Sequence, residues 1–183
     1  VISLNRPEKL NAFTKTMQDE LIQAFDYTDQ NDDIKSVVIS GKGRAYCAGA
    51  DLVEGPNTFN YAEEGNRLSN DDYSDGGGLV ALRIFRSKKP VIGAINGDAV
   101  GVGVTMTLPM DIRIASKSAR FGFVFSRRGA VPEACSSWFL PRIVGISKAL
   151  DWCYTGKVFN SQEALQHGLV SEVVPDDKLI DRA

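Results

Sequence analysis

The periodicity of apolar residues predicts a long amphipathic helix near the start of the chain. In TKTMQDELIQAFDYT, residues that fit one helical face recur at Met17, Leu21, Ala24, Phe25 and Thr28. Thr14 is the candidate N-cap of this helix, and the polar run 31–33 ends it.

Short β-branched runs predict strands. They are VISL (1–4), KSVVIS (35–40), PVIGAI (90–95), DIRIAS (111–116), ARFGF (119–123) and LVSEVV (169–174). Further helices are predicted from about Gly101 and at 134–144, 147–155 and 162–167, with Gly168 as a C-cap. Strand, glycine turn and helix follow one another twice, which predicts a repeated ββα unit and the α/β class.

The remaining segments bear on domain organisation. Residues 53–78 are polar and rich in Gly, Asn and Asp, so we expect a mobile loop or lid containing at most one short helix. The length of 183 residues predicts one domain, 1–183. Because the chain begins within a strand-like run and ends in DKLIDRA, which resembles a first helical turn, we expect it to continue beyond both ends.

Composition excludes several classes of function. With 43% hydrophobic residues, 24% charged residues and a formal net charge of −2, the chain is typical of a globular protein and lacks the basic tract of a nucleic-acid-binding protein. No apolar run reaches the ~18 residues of a membrane span. Three cysteines and the single His167 lack the spacing of a metal site, so we expect buried free thiols in an intracellular protein.

A glycine-rich turn lies between a predicted strand and helix in PVIGAINGDAVGVGVTMTL. Gly97, Gly101 and Gly103 give G-x-x-x-G-x-G, whereas a dinucleotide-binding turn needs G-x-G-x-x-G and an acidic residue about 20 positions later. Two interpretations remain. The glycines either allow close packing, or they aim backbone amides at an oxygen that gains negative charge during a reaction.

A second turn, CAGADL (47–52), also follows a strand and also contains small residues. Two such turns, one from each ββα round, are able to supply one amide each to the same point. This pairing favours an oxyanion hole over packing alone.

Three segments resemble the crotonase (enoyl-CoA hydratase/isomerase) superfamily: NRPEKLNAF, GKGRAYCAGADL and KKPVIGAINGDAVGVGVTMTLPMDIRIAS, in that order and spacing. The resemblance implies a spiral of ββα units, an acyl-CoA thioester substrate, and an oxyanion hole formed by the N–H groups of Ala50 and Val102. The family usually has glycine at the second position, so the Val102 side chain should narrow the pocket. The implied chemistry uses neither a metal nor a redox cofactor.

The same resemblance implies further substrate-binding positions and an assembly. Lys9 and Leu10 match positions that line the coenzyme A channel, and the remaining implied positions are Ala48, Asp51, Leu52 and Gly101. Asp51 also has a simpler interpretation, in which it accepts backbone hydrogen bonds at its turn. The family implies a homotrimer or a dimer of trimers, in which the apolar segments SSWFLPRIVG and ALDWCY would be covered.

The acidic residues predict which reaction the site performs. Hydratases of this family carry two catalytic glutamates, and the matching positions here hold Thr105 and Phe125. One candidate remains, Glu133 in GAVPEACSS, which resembles the catalytic position of peroxisomal-type Δ3,Δ2-enoyl-CoA isomerases. We therefore predict a single-base isomerase. The alternatives are a hydratase or another thioester reaction, a non-catalytic scaffold, and a Glu133 that only interacts with the helix dipole.

Overall fold

Two β-sheets and the helices packed on them form the protein in the computed structural model, which describes residues 1–53, 55 and 75–183. The strands are β1 (Ile2–Leu4), β2 (Val37–Gly41), β3 (Ala45–Cys47), β4 (Val91–Ile95), β5 (Asp98–Val100), β6 (Ile112–Ser116), β7 (Arg120–Gly122), β8 (Val158–Asn160) and β9 (Glu172–Val174). The helices are α1 (Lys15–Gln30), α2 (Gly76–Phe85), α3 (Val102–Thr105), α4 (Ser136–Val144), α5 (Ile146–Thr155), α6 (Ser161–Gln166) and α7 (Leu179–Arg182).

From β2 to β7, successive strands alternate between the two sheets. The first sheet has the order β1-β2-β4-β6-β9 and is parallel throughout. The second has the order β3-β5-β7-β8, in which only the β7–β8 pair is antiparallel. Each repeat therefore contributes a strand to each sheet and then a helix: β2-β3-α2, β4-β5-α3 and β6-β7-α4. This is the predicted spiral of ββα units.

The buried core joins both sheets to the helices. Tyr46, Phe121 and Phe123 come from the second sheet and its margin, and Trp152 comes from α5. The Trp152 ring stacks on Phe159 of β8 with centroids 4.0 Å apart. Aromatic packing of this kind fixes α5 against the second sheet, whose parallel strands β3 and β5 lead into the glycine turns.

The first predicted helix is confirmed as α1, and Thr14 caps it by accepting a hydrogen bond from the Met17 N–H at 3.2 Å. The predicted loop 53–78 is wrong at its end, since α2 already begins at Gly76. Asp75 is its N-cap and accepts from the Gly78 N–H at 2.7 Å, which offsets the low helix propensity of three glycines. Residues 54 and 56–74 of that prediction lie outside the described residues.

Two other predicted helices have different bounds. The helix expected at 134–144 begins at Ser136, because Ala134 and Cys135 adopt left-handed conformations with φ of 50° and 57°. The helix expected from about Gly101 is the short α3, and all four of its residues are buried. Strands β3 and β5 were not among the predicted strands, because their residues lie in or beside the two glycine turns. Each is only three residues long.

Candidate active site

A cavity of about 440 Å³ opens where the second sheet's glycine turns meet the N-terminal ends of α1 and α2. Most of the predicted site residues line it: Ala48, Ala50, Asp51, Leu52, Gly101, Val102 and Glu133. These residues are far apart in sequence, and the alternation of strands between two sheets brings them together.

The two glycine turns lie against each other, as the sequence predicted. Strands β3 and β5 pair in parallel, with Cys47 opposite Ala99, so the segments that follow the two strands leave the sheet at the same edge. A Cβ added to Gly101 would lie 3.8 Å from the Cα of Gly49. Gly101 has φ 55° and ψ −127°, a conformation that favours glycine strongly.

Two backbone amides at these turns, those of Ala50 and Val102, have no hydrogen-bond acceptor among the described residues. Phe13 pairs with Ala50 through the two residues that flank Ala50: the Phe13 N–H donates to the Gly49 carbonyl, and the Asp51 N–H donates to the Phe13 carbonyl. In this parallel pairing the Ala50 N–H points away from Phe13. The N–H of Val102 is at the first position of α3, where no intrahelical acceptor exists. Among hydrogen bonds between described residues, none uses either N–H as donor.

Glu133 presents its carboxyl group to the same cavity. Thr105 of α3 donates a hydrogen bond from Oγ1 to Oε1 of Glu133 at 2.7 Å. Burial raises the pKa of Glu133 to about 7; the Thr105 hydrogen bond opposes this rise and the charge of Asp75 adds to it. A carboxyl group with this pKa is suited to proton transfer near neutral pH.

Glycine at position 77 makes room for this carboxyl group. A Cβ at Gly77 would lie 2.8 Å from Oε2 of Glu133 and 2.9 Å from Cγ2 of Val102. The Val102 side chain therefore does occupy part of the space around the site, as its replacement of a glycine predicted.

A second carboxylate on the cavity, Asp51, has the opposite environment. Arg6 donates from Nη1 to Oδ2 of Asp51 at 2.6 Å, and the Val53 N–H donates to Oδ1 at 3.1 Å. The hydrogen bond from Arg6 holds the pKa of Asp51 below its ordinary value, although partial burial opposes it. The simpler interpretation of Asp51, as an acceptor for backbone amides at its turn, is consistent with this geometry.

Lys9 and Leu10 do not line the main cavity. Lys9 ends a single 3₁₀ turn, Pro7–Lys9, and Leu10 follows with φ 53°. The carbonyl of Leu10 accepts from the Ala48 N–H at 3.1 Å, so this segment lies directly beside the first glycine turn. Their contact with coenzyme A stays a prediction.

Sequence reasoning missed three residues of the site: Arg6, Asp75 and Gly77. Asp75 was detectable, because Asp is a preferred N-cap residue and here it directly precedes the segment GGGLVALRIF. Gly77 and Arg6 carried no local signal, since their importance comes from Glu133 and Asp51, which are more than 40 residues away in the chain.

Other sequence expectations concern cysteines, metals and membranes. All three cysteines are free, as expected, but only Cys47 is buried, whereas Cys135 and Cys153 are partly exposed. Across residues 1–53, 55 and 75–183, no three His, Cys, Asp or Glu side chains are grouped to hold a metal ion. Within the same residues, every helix is too short or too polar to cross a membrane.

Comparison with known proteins agrees with this geometry. The family model described as enoyl-CoA hydratase/isomerase matches residues 1–183. The chain is 44% identical to Enoyl-CoA hydratase ACTT3 of Alternaria alternata, over 100% of this chain and 60% of that protein. It is 34% identical to the 1,2-epoxyphenylacetyl-CoA isomerase of Escherichia coli (strain K12), over 100% of this chain and 68% of that one.

A solved structure gives the same result for the fold. The enoyl-CoA hydratase/isomerase from Pseudoalteromonas atlantica T6c superposes with a TM-score of 0.83 at 34% identity, covering 98% of this chain and 67% of the other. The chain spans 56–60% of the length of the three Alternaria alternata hydratases that it matches.

Proposed function

This chain belongs to the enoyl-CoA hydratase/isomerase family, and we propose that it forms the catalytic core of an enzyme that moves a double bond in an enoyl-CoA thioester. One observation carries the proposal. Glu133 accepts a hydrogen bond from Thr105, has a pKa of about 7, and lines the same cavity as the two glycine turns. The amides of Ala50 and Val102 in those turns have no acceptor among the described residues.

The two amides are proposed to bind the thioester oxygen. When a proton leaves C2, negative charge collects on that oxygen, and two oriented N–H donors stabilise it more strongly than they stabilise the neutral thioester. The donors are held in place by parallel pairing of β3 with β5 and by the bonds of Phe13 on either side of Ala50. This preorganisation lowers the barrier without a metal or a redox cofactor.

Glu133 is proposed to move the proton. Its carboxylate takes a proton from C2 of a 3-enoyl thioester, and the electrons of the C2–H bond form a dienolate. The same carboxyl group then returns the proton at C4, leaving the double bond between C2 and C3. The hydrogen bond from Thr105 fixes the orientation of the carboxylate, and Gly77 leaves it space.

Hydration is the alternative reaction, and the relatives named hydratases favour it. Adding water to a double bond at this site would call for a second carboxylate to orient it. Thr105 and Phe125 stand at the two positions of the family's glutamates. Thr105 donates its hydrogen bond to Glu133, and Phe125 is an apolar side chain that is 5% exposed. A scaffold without catalysis would have no use for a buried carboxyl group aimed into the cavity.

Substrate and assembly remain part of the proposal. The coenzyme A moiety is proposed to contact Lys9, Leu10, Ala48, Asp51, Leu52 and Gly101. A homotrimer or a dimer of trimers would cover the exposed apolar side chains of α4 and α5, among them Trp138 (56% exposed) and Tyr154 (73% exposed). Light scattering on the full-length protein tests the assembly, and a monomer would contradict it.

The test of function is a pair of assays on the full-length protein and its Glu133→Gln variant. We expect the variant to lose isomerisation of 3-enoyl-CoA by at least about 10²-fold, because general-base catalysis typically contributes 10²–10⁴-fold. Its affinity for a CoA thioester should stay unchanged, since the amides that bind the thioester oxygen are intact. Robust hydration of 2-enoyl-CoA that survives in Glu133→Gln would assign both another acid and another reaction.

A further inference from the structure

Asp75 joins two parts of the site that are almost 60 residues apart in the chain. Its Oδ1 accepts from the Gly78 N–H at 2.7 Å and caps α2, while its Oδ2 accepts from the Ala134 N–H at 3.3 Å. Asp75 lines the cavity together with Gly76, Gly77 and Glu133. One carboxylate thus ties the N-terminus of α2 to the residue that directly follows Glu133.

The segment that Asp75 holds has an unfavourable backbone conformation. Ala134 and Cys135 are consecutive non-glycine residues with φ of 50° and 57°, a region that L side chains rarely adopt. Such conformations persist only where surrounding structure enforces them, and they cluster at functional sites. Here the enforcing contacts are two hydrogen bonds: the Ala134 N–H donates to the Asp75 carboxylate, and the Ser136 N–H donates to the Glu133 carbonyl at 2.9 Å.

The turn has a direct consequence for the carboxyl group of Glu133. With Ala134 fully buried and left-handed, the chain reverses at this point and directs Glu133 towards Thr105 and Gly77. Without the contact to Asp75, the Ala134 turn is free to relax towards the ordinary helical region, which would move the Glu133 carboxyl group away from Thr105.

We propose that Asp75 is a positioning residue: its carboxylate bridges α2 and the turn after Glu133 and thereby fixes the Glu133 carboxyl group over the cavity. This inference rests on the proposed role of Glu133 as the base. Asp75 does not touch the reacting atoms in this scheme and acts through Glu133, unlike a second catalytic acid.

The charge of Asp75 adds an electrostatic effect that a purely structural role would lack. Among the described residues, the ionisable group whose charge raises the pKa of Glu133 is the Asp75 carboxylate. Burial raises the pKa of the nearby Cys47 and Cys135 thiols, so they stay neutral. Three cations, Arg6, Lys15 and Arg128, line the cavity, but no ion pair between described residues joins any of them to Glu133. Asp75 is thus the nearby charge that opposes ionisation of Glu133.

Two variants of the full-length protein test the contact and the charge, by kcat in one and by the pKa of Glu133 in the other. Asp75→Ser keeps an N-cap for α2 but is too short to reach the Ala134 N–H as well. We expect its melting temperature to stay close to that of the wild type while kcat falls about 10²-fold with little change in KM, as for a misplaced catalytic group. Asp75→Asn keeps the size of the side chain and one acceptor oxygen, which is able to cap α2, but its amide nitrogen is unable to accept from the Ala134 N–H. It also removes the charge, so the pKa of Glu133 should fall.

The pKa of Glu133 is measured by ¹³C NMR titration of labelled glutamate, with its signal assigned from Glu133→Gln. Asp33→Asn, an exposed acid outside the cavity lining, is the control for the same change in net charge and should shift nothing. A wild-type kcat in Asp75→Ser, or an unmoved Glu133 titration in Asp75→Asn, would overturn the inference. If Glu133→Gln stays active, the proposed function fails instead, while the titration still tests the contact.

Discussion

Glu133 and Asp51 line the same cavity, yet the protein treats their carboxyl groups in opposite ways. Asp51 is paired with Arg6 at 2.6 Å, which holds its pKa low. Among the described residues, the carboxyl group of Glu133 accepts a hydrogen bond only from the neutral hydroxyl of Thr105, and burial raises its pKa to about 7. Environments that separate two pKa values in this way suit the two carboxyl groups to separate tasks.

The difference shows which carboxyl group is able to exchange a proton at neutral pH. Asp51 stays ionised through the physiological range and serves as a fixed charge that orders its turn. Glu133 is divided between its two protonation states near pH 7, so either state is accessible at little cost. Burial of the Glu133 carboxyl group without a cation lowers the free energy of unfolding, whereas the pairing of Asp51 with Arg6 avoids such a loss.

The largest expected effect that sharpens this contrast is the pH dependence of activity. Glu133 must be ionised to accept a proton, so kcat/KM should fall tenfold for each pH unit below about 7 and by about 10²-fold at pH 5. Asp51 stays charged across that window, because its pKa is lowered. The measurement is a rate profile from pH 5 to 9, with circular dichroism to confirm folding. A rate that is flat down to pH 5 would assign the base to an ordinary carboxyl group.

The second effect is on stability and concerns Glu133→Gln. Because the pKa of Glu133 rises from an ordinary 4.5 to about 7 on folding, the folded protein binds more protons than the unfolded one between these values. The free energy of unfolding therefore decreases as pH rises through this window, and the glutamine variant avoids that loss.

We expect Glu133→Gln to be more stable than the wild type by about 3 kcal/mol at pH 8, because the difference between the folded and unfolded pKa of Glu133 sets the scale. At pH 4 the advantage should vanish, since Glu133 is then protonated in both states. Urea unfolding at the two pH values measures this. An advantage of equal size at both would show that the amide improves packing and that ionisation has no part in it.

The third effect comes from Thr105→Val, which removes a hydroxyl group without changing shape much. The hydrogen bond from Thr105 lowers the pKa of Glu133, so its loss should raise that pKa and move the acid limb of the rate profile to higher pH. With the carboxylate also less well oriented, kcat should fall about tenfold. Thr105→Ser keeps the donor and should retain most activity; equal losses in both variants would point to packing.

Much of the fold was predictable because hydrophobic periodicity is local. Thr14 and the apolar face of α1 lie within one segment, and the long strands β2, β4 and β6 have clear β-branched runs. Strands β3 and β5 were not predictable, since three residues between glycines are too few to show an alternation of apolar and polar positions. The start of α4 was misplaced because nothing in the sequence signals a left-handed Ala134 and Cys135.

The site was predictable only in part, for a related reason. Glu133 and the turns of Ala50 and Val102 belong to recognisable segments, so the sequence was enough to bring them into one hypothesis. The environment that sets each pKa depends on contacts between distant segments, as Arg6 with Asp51 and Thr105 with Glu133 illustrate. A residue's type predicts what chemistry it is able to perform, whereas its neighbours in space determine the pH at which it does so.

The smallest expected effect is that of Arg6→Met, which removes the cation from Asp51 and keeps an apolar side chain of similar length. The Arg6 side chain is 31% exposed, so its ion pair is partly screened and should contribute less than about 1 kcal/mol to the free energy of unfolding. The pKa of Asp51 should rise, because the variant lacks the hydrogen bond from Arg6 that stabilises the ionised carboxylate. The acid limb of the rate profile should nevertheless stay near pH 7, since Glu133 sets it. A displaced limb in Arg6→Met would show that the two carboxyl groups are coupled through the cavity and that their environments are not independent.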